Sequence, residues 1–347
     1  MISGDFTHDI LKLAVHRVGN KMEGEGIIAT QESIELSNEH KELFKEYFLP
    51  PFKSSEHFNL YHESDVLLNE VYVYATKIFD NPNSLIEHSF SLAKHLHECS
   101  KHPKVKSGEF YTVYFKDCFV AGQIVDAIGL FKTENKDTFL KVDATFEGLT
   151  IDSEKGINIH KLDKGALIYN SEKDAGYIVA IADSAGRGSD AQYWTDDFLH
   201  VIQRKDEYFN TQNVMTLCKN FVTNELPQHF EVTRADQVDL LNKSVKFFKE
   251  NDNFNIVDFT NEVMAQPEII DRFNNFKTVF QQEREIEIED NFTISASAVK
   301  KQSRVFKSVL RLDKNFHIYI HGNRDLIEQG VDENGRKFYK IYFETET

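Results

Sequence analysis

The sequence predicts an α+β fold: an N-terminal mixed part with a largely antiparallel sheet and flanking helices, followed by a helical and β-hairpin C-terminal part. Three observations carry this. From Glu109 to Ala182 short apolar strands follow one another, separated by polar turns such as "KTENKD" and "SEKDAG". Few helical stretches interrupt that run, so the connections that parallel crossovers need are missing. Helical periodicity occupies the blocks before and after it.

The first segment, "ILKLAVHRVGNK", alternates apolar and polar positions and predicts a strand ending in a Gly-Asn turn. "SNEHKELFKEYF" opens on a Ser-Asn cap signal, continues at helical spacing and stops at Pro50-Pro51. Residues 64–79 and 84–101 predict two further helices; the second begins after the cap-rich "NPNS" and ends before Pro103. The strands are then "EFYTVYFKDCFV", "IVDAIGLFK", "FLKVDATFEGLTI", "GALIYN" and "YIVAIA". Beyond "DAQYWTDDFLHV" helices are expected near 209–226, 234–251, 255–264 and 267–283, with the acidic "EREIEIED" as a connection. "ASAVKKQSRVF" has helical character, and strands follow around "SVLRLD", "FHIYIHG" and "KFYKIYF". The last two flank "VDENGRK", whose Asn-Gly is a hairpin signal. The division expected is 1–207, an α+β domain, and 208–347, a helical region ending in a basic helix and a β-meander. No internal repeat or low-complexity tract is found.

A chain of 347 residues, 41% hydrophobic and 12% aromatic, can bury a sizeable core and is long enough for two domains. Its formal charge of −16 excludes a surface that is basic all over. Nucleic-acid binding would have to come from a local patch working against a repulsive remainder. Cys99, Cys118 and Cys218 are odd in number and lack CxxC spacing, which fits buried thiols in a reducing compartment. There is no signal-like N-terminus and no apolar run of 18 residues, so a soluble cytoplasmic protein is expected.

Several constellations invite chemistry. In "AGRGSDAQYW", Gly186 and Gly188 lack a third glycine and a GK[ST] sequel, and Arg187 is the only cation. A strand-to-helix corner with Asp190 as N-cap explains them better than a phosphate cradle. His88, His95, Cys99 and His102 share one helix face, but they span nearly four turns, about 21 Å, too far for one ion. No structural metal is expected. Asp126, Glu134 and Lys136, with Glu109 upstream, carry the residue types of a metal-dependent nuclease, yet "KTENKD" reads as a solvated hairpin tip. Asp196 and Asp197 read as capping or exposed carboxylates. No GxSxG, HExxH or Walker sequence occurs.

The densest physical signal is "VKKQSRVFKSVLRLDK": Lys300, Lys301, Arg304, Lys307, Arg311 and Lys314 accompany the single acid Asp313. Residues 296–347 carry +3 and the other 295 carry −19. On a helix Lys300, Arg304, Lys307 and Arg311 make one cationic stripe opposite Val305, Phe306, Val309, Leu310 and Leu312. In the competing reading the helix ends near Arg304 and "FKSVLRLD" is a strand, with Lys307 and Arg311 still on one face. A solvated basic face is the plain alternative to a DNA-facing one.

Several stretches together resemble the 37-kilodalton, NdpA-type family of bacterial nucleoid-associated proteins. They are "LAVHRVGNK", "SGEFYTVYF", "AIGLFKTENKDTFL", "KLDKGALIY", "YIVAIADSAGRGSDAQYWTDDFL" and the tail "LDKNFHIYIHGNRDLIEQGVDENGRKFYKIYF". Their order along one chain carries the resemblance, which runs nearly end to end. It implies a cytoplasmic protein of the nucleoid that binds double-stranded DNA, or proteins acting on DNA such as topoisomerases, without catalytic chemistry or a cofactor. The function expected is low-specificity DNA binding through Lys300, Lys301, Arg304, Lys307, Arg311 and Lys314. An adaptor for DNA-processing proteins is the alternative, and the metal-dependent nuclease a more distant one. No membrane partner is expected, and the sequence leaves oligomeric state open, a homodimer among the states it allows.

Overall fold

A computed structural model of the chain describes residues 8–146, 148–184, 192–306, 309–319 and 326–345. The chain divides into two units, Met1–Arg204 and Lys205–Thr347. No helix among the described residues is long and apolar enough to cross a membrane.

The first unit is built on an eight-stranded sheet. In chain order its elements are β1 (Asp9–Val18), β2 (Ile27–Ala29), α1 (Asn38–Phe48), β3 (Phe58–Leu60), α2 (Glu70–Asp80), α3 (Leu85–Cys99), β4 (Gly108–Val120) and β5 (Gln123–Thr133). There follow β6 (Asp137–Thr145), β7 (Gly148–Gly156), β8 (Lys164–Tyr169), β9 (Ile178–Asp183), a π-helix (Tyr193–Leu199) and β10 (Val201–Gln203). The sheet order is β10-β3-β9-β8-β5-β4-β1-β2 and every pairing is antiparallel. The predicted α+β class is thus the observed one.

Both faces of the sheet are covered, which is why its central strands read as nearly continuous apolar runs. On one face Phe110, Tyr114, Ile128, Leu130, Ala166, Ile168 and Val179 share a core with Val71, Ile78, Leu92 and Leu96 from α2 and α3. Trp194 and Phe198 of the π-helix complete that layer. On the other face Tyr111, Phe115, Phe131 and Leu167 pack with Tyr47 and Phe48 of α1. The ring of Phe48 stacks on that of Phe131 at 4.0 Å. Caps set the helix starts: Ser37 accepts from His40 N–H and Asn69 from Tyr72 N–H.

The stretch "FLKVDATFEGLTI", expected as one strand, folds back on itself. Gly148, at φ +135°, sits in a backbone region other residues rarely enter, and β6 and β7 pair across that turn. The resulting ribbon is a separate two-stranded sheet.

The second unit holds α4 (Glu207–Asn220), which runs through a π-helical turn (Phe221–Glu225) into α5 (Leu226–His229), then α6 (Arg234–Glu250) and β11 (Asn253–Asn255). Next come α7 (Ile256–Phe259) with a second π-helical turn (Thr260–Met264), α8 (Pro267–Arg284), β12 (Asn291–Thr293) and α9 (Ala296–Ser303). Its core is rich in phenylalanine: Phe221, Phe247, Phe248, Phe254, Phe259 and Phe273 are all buried in one cluster. Two hairpins end the chain, β13 (Val309–Leu312) with β14 (Phe316–Tyr319), and β15 (Ile327–Val331) with β16 (Lys337–Ile341). The Asn334-Gly335 turn does close a hairpin, but its first strand is "IEQGV" and not "FHIYIHG". "FHIY" pairs with "VLRL" instead, so the tail is two separate hairpins and not one meander.

Candidate nucleic-acid interface

The basic segment starts in α9. Ser295 caps it, its hydroxyl accepting from Ala298 N–H. Ala298, Val299 and Phe306 turn inward, the last two into the phenylalanine-rich core. Lys300, Lys301 and Arg304 are left on the exposed side. The expected long basic helix is not formed: α9 ends at Ser303 and β13 begins at Val309. Phe306 is buried and its neighbour Val305 is 47% exposed, and beyond them the β-prone "VLRL" finds its ladder with "FHIY". The reading in which the helix stops near Arg304 is the one that holds.

Of the six cations, Lys300, Lys301, Arg304 and Lys314 are described and exposed. Lys307 lies outside the described residues, and Arg311 is described by its backbone alone, opposite His317 in the hairpin. Lys301 holds its ammonium 5.6 Å from the ring centre of Tyr208, a cation–π contact that orients it. Lys300 faces a cavity of about 350 Å³ that Lys249, at the end of α6, also lines together with Asp252 and Ser303. The fold thus brings Lys249 to the same cavity as Lys300, 51 residues later in the chain, with nothing in its own sequence context to mark it. Part of this placement is structural, because cations in the last turn of a helix offset its dipole by about 0.3–1 kcal/mol each.

The nuclease constellation is pulled apart. Asp126 accepts from Tyr114 Oη at 2.6 Å and Lys116 Nζ at 2.7 Å. Glu134 follows eight residues later at the far end of β5, roughly 26 Å away at 3.3 Å per residue. Glu109, Glu134 and Lys136 do share a cavity of about 260 Å³, where Lys136 pairs with Glu109 at 2.6 Å. The segment is no hairpin tip, since β5 pairs with β8 and β6 with β7, and although Asn135 and Lys136 are exposed Glu134 is half-buried. Asp163 accepts from the backbone N–H groups of Glu134 (2.7 Å) and Asn135 (2.9 Å), and Tyr193 donates to the Glu134 carboxylate.

Behind Glu134 lies a row of charge that sequence reasoning missed. Lys132, Lys164 and Asp183 are direct neighbours across β5, β8 and β9. Lys132 is fully buried, 3.1 Å from Glu134 and donating to the Lys106 carbonyl at 2.8 Å. Lys164 is equally buried and donates to both oxygens of Asp183 at 2.9 and 2.8 Å. The ring of Tyr193 lies over both ammonium groups, at 5.2 and 5.5 Å. Burial pulls the Lys132 pKa down, with Glu134 opposing, and pushes the Tyr193 phenol well up. Each charge has its partner. A lysine inside the apolar "AIGLFKT" is the one signal of this row in the sequence.

The histidines of α3 diverge as well. His95 holds Glu70 at 2.8 Å and contacts the Phe198 carbonyl at 3.0 Å, while Cys99 donates to the Asp197 carbonyl. His88 lies beside Tyr74, and His102 accepts from Lys104 N–H. Burial pushes the Cys99 thiol up to about 12, which leaves it an unreactive thiol at neutral pH. Among the described residues no group of three or more His, Cys, Asp or Glu is placed to hold a metal ion. Asp196 and Asp197 are exposed on the π-helix. Gly186, Arg187, Gly188 and Asp190 lie outside the described residues.

A family model described as nucleoid-associated protein YejK matches residues 14–336, across both units. No curated protein matches the chain.

Proposed function

The chain belongs to the nucleoid-associated protein family, and from that membership we propose that it is a non-enzymatic protein that binds double-stranded DNA with little sequence specificity through the C-terminal basic surface. The observation that carries the reading is the joint exposure of Lys300, Lys301, Arg304 and Lys314 in a chain of net charge −16. Lys249 adds to it at the shared cavity. Such a surface meets phosphates, which set position and salt dependence but do not read sequence. No cofactor or metal is needed for this role, which belongs to the cytoplasm at the nucleoid.

The test is a salt titration of binding to random duplex DNA. If about five phosphates are neutralised, the log–log slope is near −4.5, at about −0.9 per phosphate. Replacing Lys300, Lys301, Arg304 and Lys314 by Gln flattens the slope by about 0.9 for each phosphate left without its cation, alike for all sequences. Affinity and slope unchanged in that variant would move the DNA surface elsewhere. Folding changes little, since exposed cations contribute small terms.

One observation favours a second reading. The first unit carries 21 Lys/Arg against 32 Asp/Glu, a net −11, which suits docking onto a basic DNA-processing protein such as a topoisomerase. A wild type without DNA affinity even at low salt selects this adaptor role.

A further inference from the structure

The β6–β7 ribbon has two unlike faces. Directly opposed residues of an antiparallel pair lie on the same face. One face carries Lys141 opposite Asp152 and Asp143 opposite Thr150, and Lys141 also pairs with Asp143 (3.2 Å) and Glu154 (3.9 Å). The other carries Leu140 opposite Ser153, Val142 opposite Ile151, and Ala144 opposite Leu149, with Lys155, opposite Thr138, as its one charge at the base of the ribbon. Those apolar side chains are bare: Leu140 is 72% exposed, Val142 58%, Leu149 75% and Ile151 67%. Phe146, at the turn, is fully exposed. A two-stranded ribbon is marginal in water by itself, and monomers rarely leave contiguous apolar patches of this size open.

We propose that this face is a self-association surface, on which two copies of the chain pack ribbon against ribbon about a two-fold axis. The face suits its own image: the apolar strip from Leu140 to Leu149 meets the same strip of the second copy, while Lys155 at the base and both charged faces stay in water. The area fits. Five large side chains at these exposures offer roughly 650 Å² per copy, and two copies bury about 1,300 Å², within the range of about 1,200–2,000 Å² for a stable interface. DNA is a poor occupant, because residues 137–156 hold five acids and two bases. The pairing is independent of the DNA-binding reading.

Sedimentation equilibrium of the full chain decides it. At about 50 µM, where an interface of this size is saturated, the wild type sediments at twice its 40.2 kDa. Val142→Glu with Ile151→Glu, and Val142→Lys with Ile151→Lys, each raise the dissociation constant about 100-fold or more through like-charge repulsion. Mixing the two charged variants restores the dimer, because the new charges now face their opposites. The proposal is overturned by a monomeric wild type, by charged variants that both stay dimeric, or by a mixture that stays monomeric. The wild-type mass decides even where a variant fails to fold.

Discussion

Lys132 shows how much a single buried ammonium depends on its carboxylate. Its side chain is wholly inside, and Glu134 is the acid that holds it. Removing one partner of a buried pair strands the other, so Glu134→Ala is expected to cost about 3 kcal/mol in urea unfolding. The deficit has a pH signature. Burial sets the folded-state pKa of Lys132 below the usual 10.5, and losing Glu134 lowers it further. Between that depressed value and 10.5 the unfolded chain binds more protons than the native one, so stability rises with pH across the window. The gap between variant and wild type therefore narrows from neutral pH towards 10.5; a constant gap would show that Glu134 acts by packing alone. None of this is legible in "KTENKD", because the groups that bury Glu134 come from afar: Asp163 lies 29 residues on and Tyr193 59.

At the scale of elements, legibility follows local chemistry. Helices with cap residues at their start and apolar periodicity behind them are readable from sequence to within a few residues, α6 among them. There Thr233 accepts from Asp236 N–H while the Asp236 carboxylate accepts from Thr233 N–H at 2.8 Å. Thr233→Ala removes the hydroxyl from that exchange and is expected to cost about 1 kcal/mol, read as a shift in the unfolding midpoint. Where an element ends by tertiary demand, the sequence is silent. α9 stops at Ser303 with no mark of that end on its helical wheel, and the chain folds back at Gly148 through a turn inside an otherwise strand-like run. "FHIY" and "IEQGV" compete as partners on pattern alone, and only the ladder separates them. The basic segment satisfies a single helical stripe on its wheel, whereas the fold divides it between the end of a helix and a hairpin.

The whole molecule is two acidic bodies, net −11 for residues 1–204 and −5 for residues 205–347, and the exposed Lys300, Lys301, Arg304 and Lys314 all belong to the second. Affinity for a polyanion is then a local gain against a global loss, and low salt amplifies both. The family match covers both bodies, and the resemblance carried by the order of motifs along the chain likewise runs nearly end to end. Neither charge totals nor motifs reveal that each body has a core of its own.

Those separate cores give the chain a built-in reporter. Its only tryptophan, Trp194, is fully buried in the first body, 4.9 Å from the ring of Phe198, and its indole N–H has no partner among the described residues. Indole emission is therefore the voice of one body alone; the phenylalanine-rich core of the other is dark at those wavelengths, while circular dichroism hears both. Emission is expected to follow Glu134→Ala and to ignore Thr233→Ala, whose shift appears in the dichroism only. Identical midpoints from the two signals in Thr233→Ala would mean instead that the bodies melt as one.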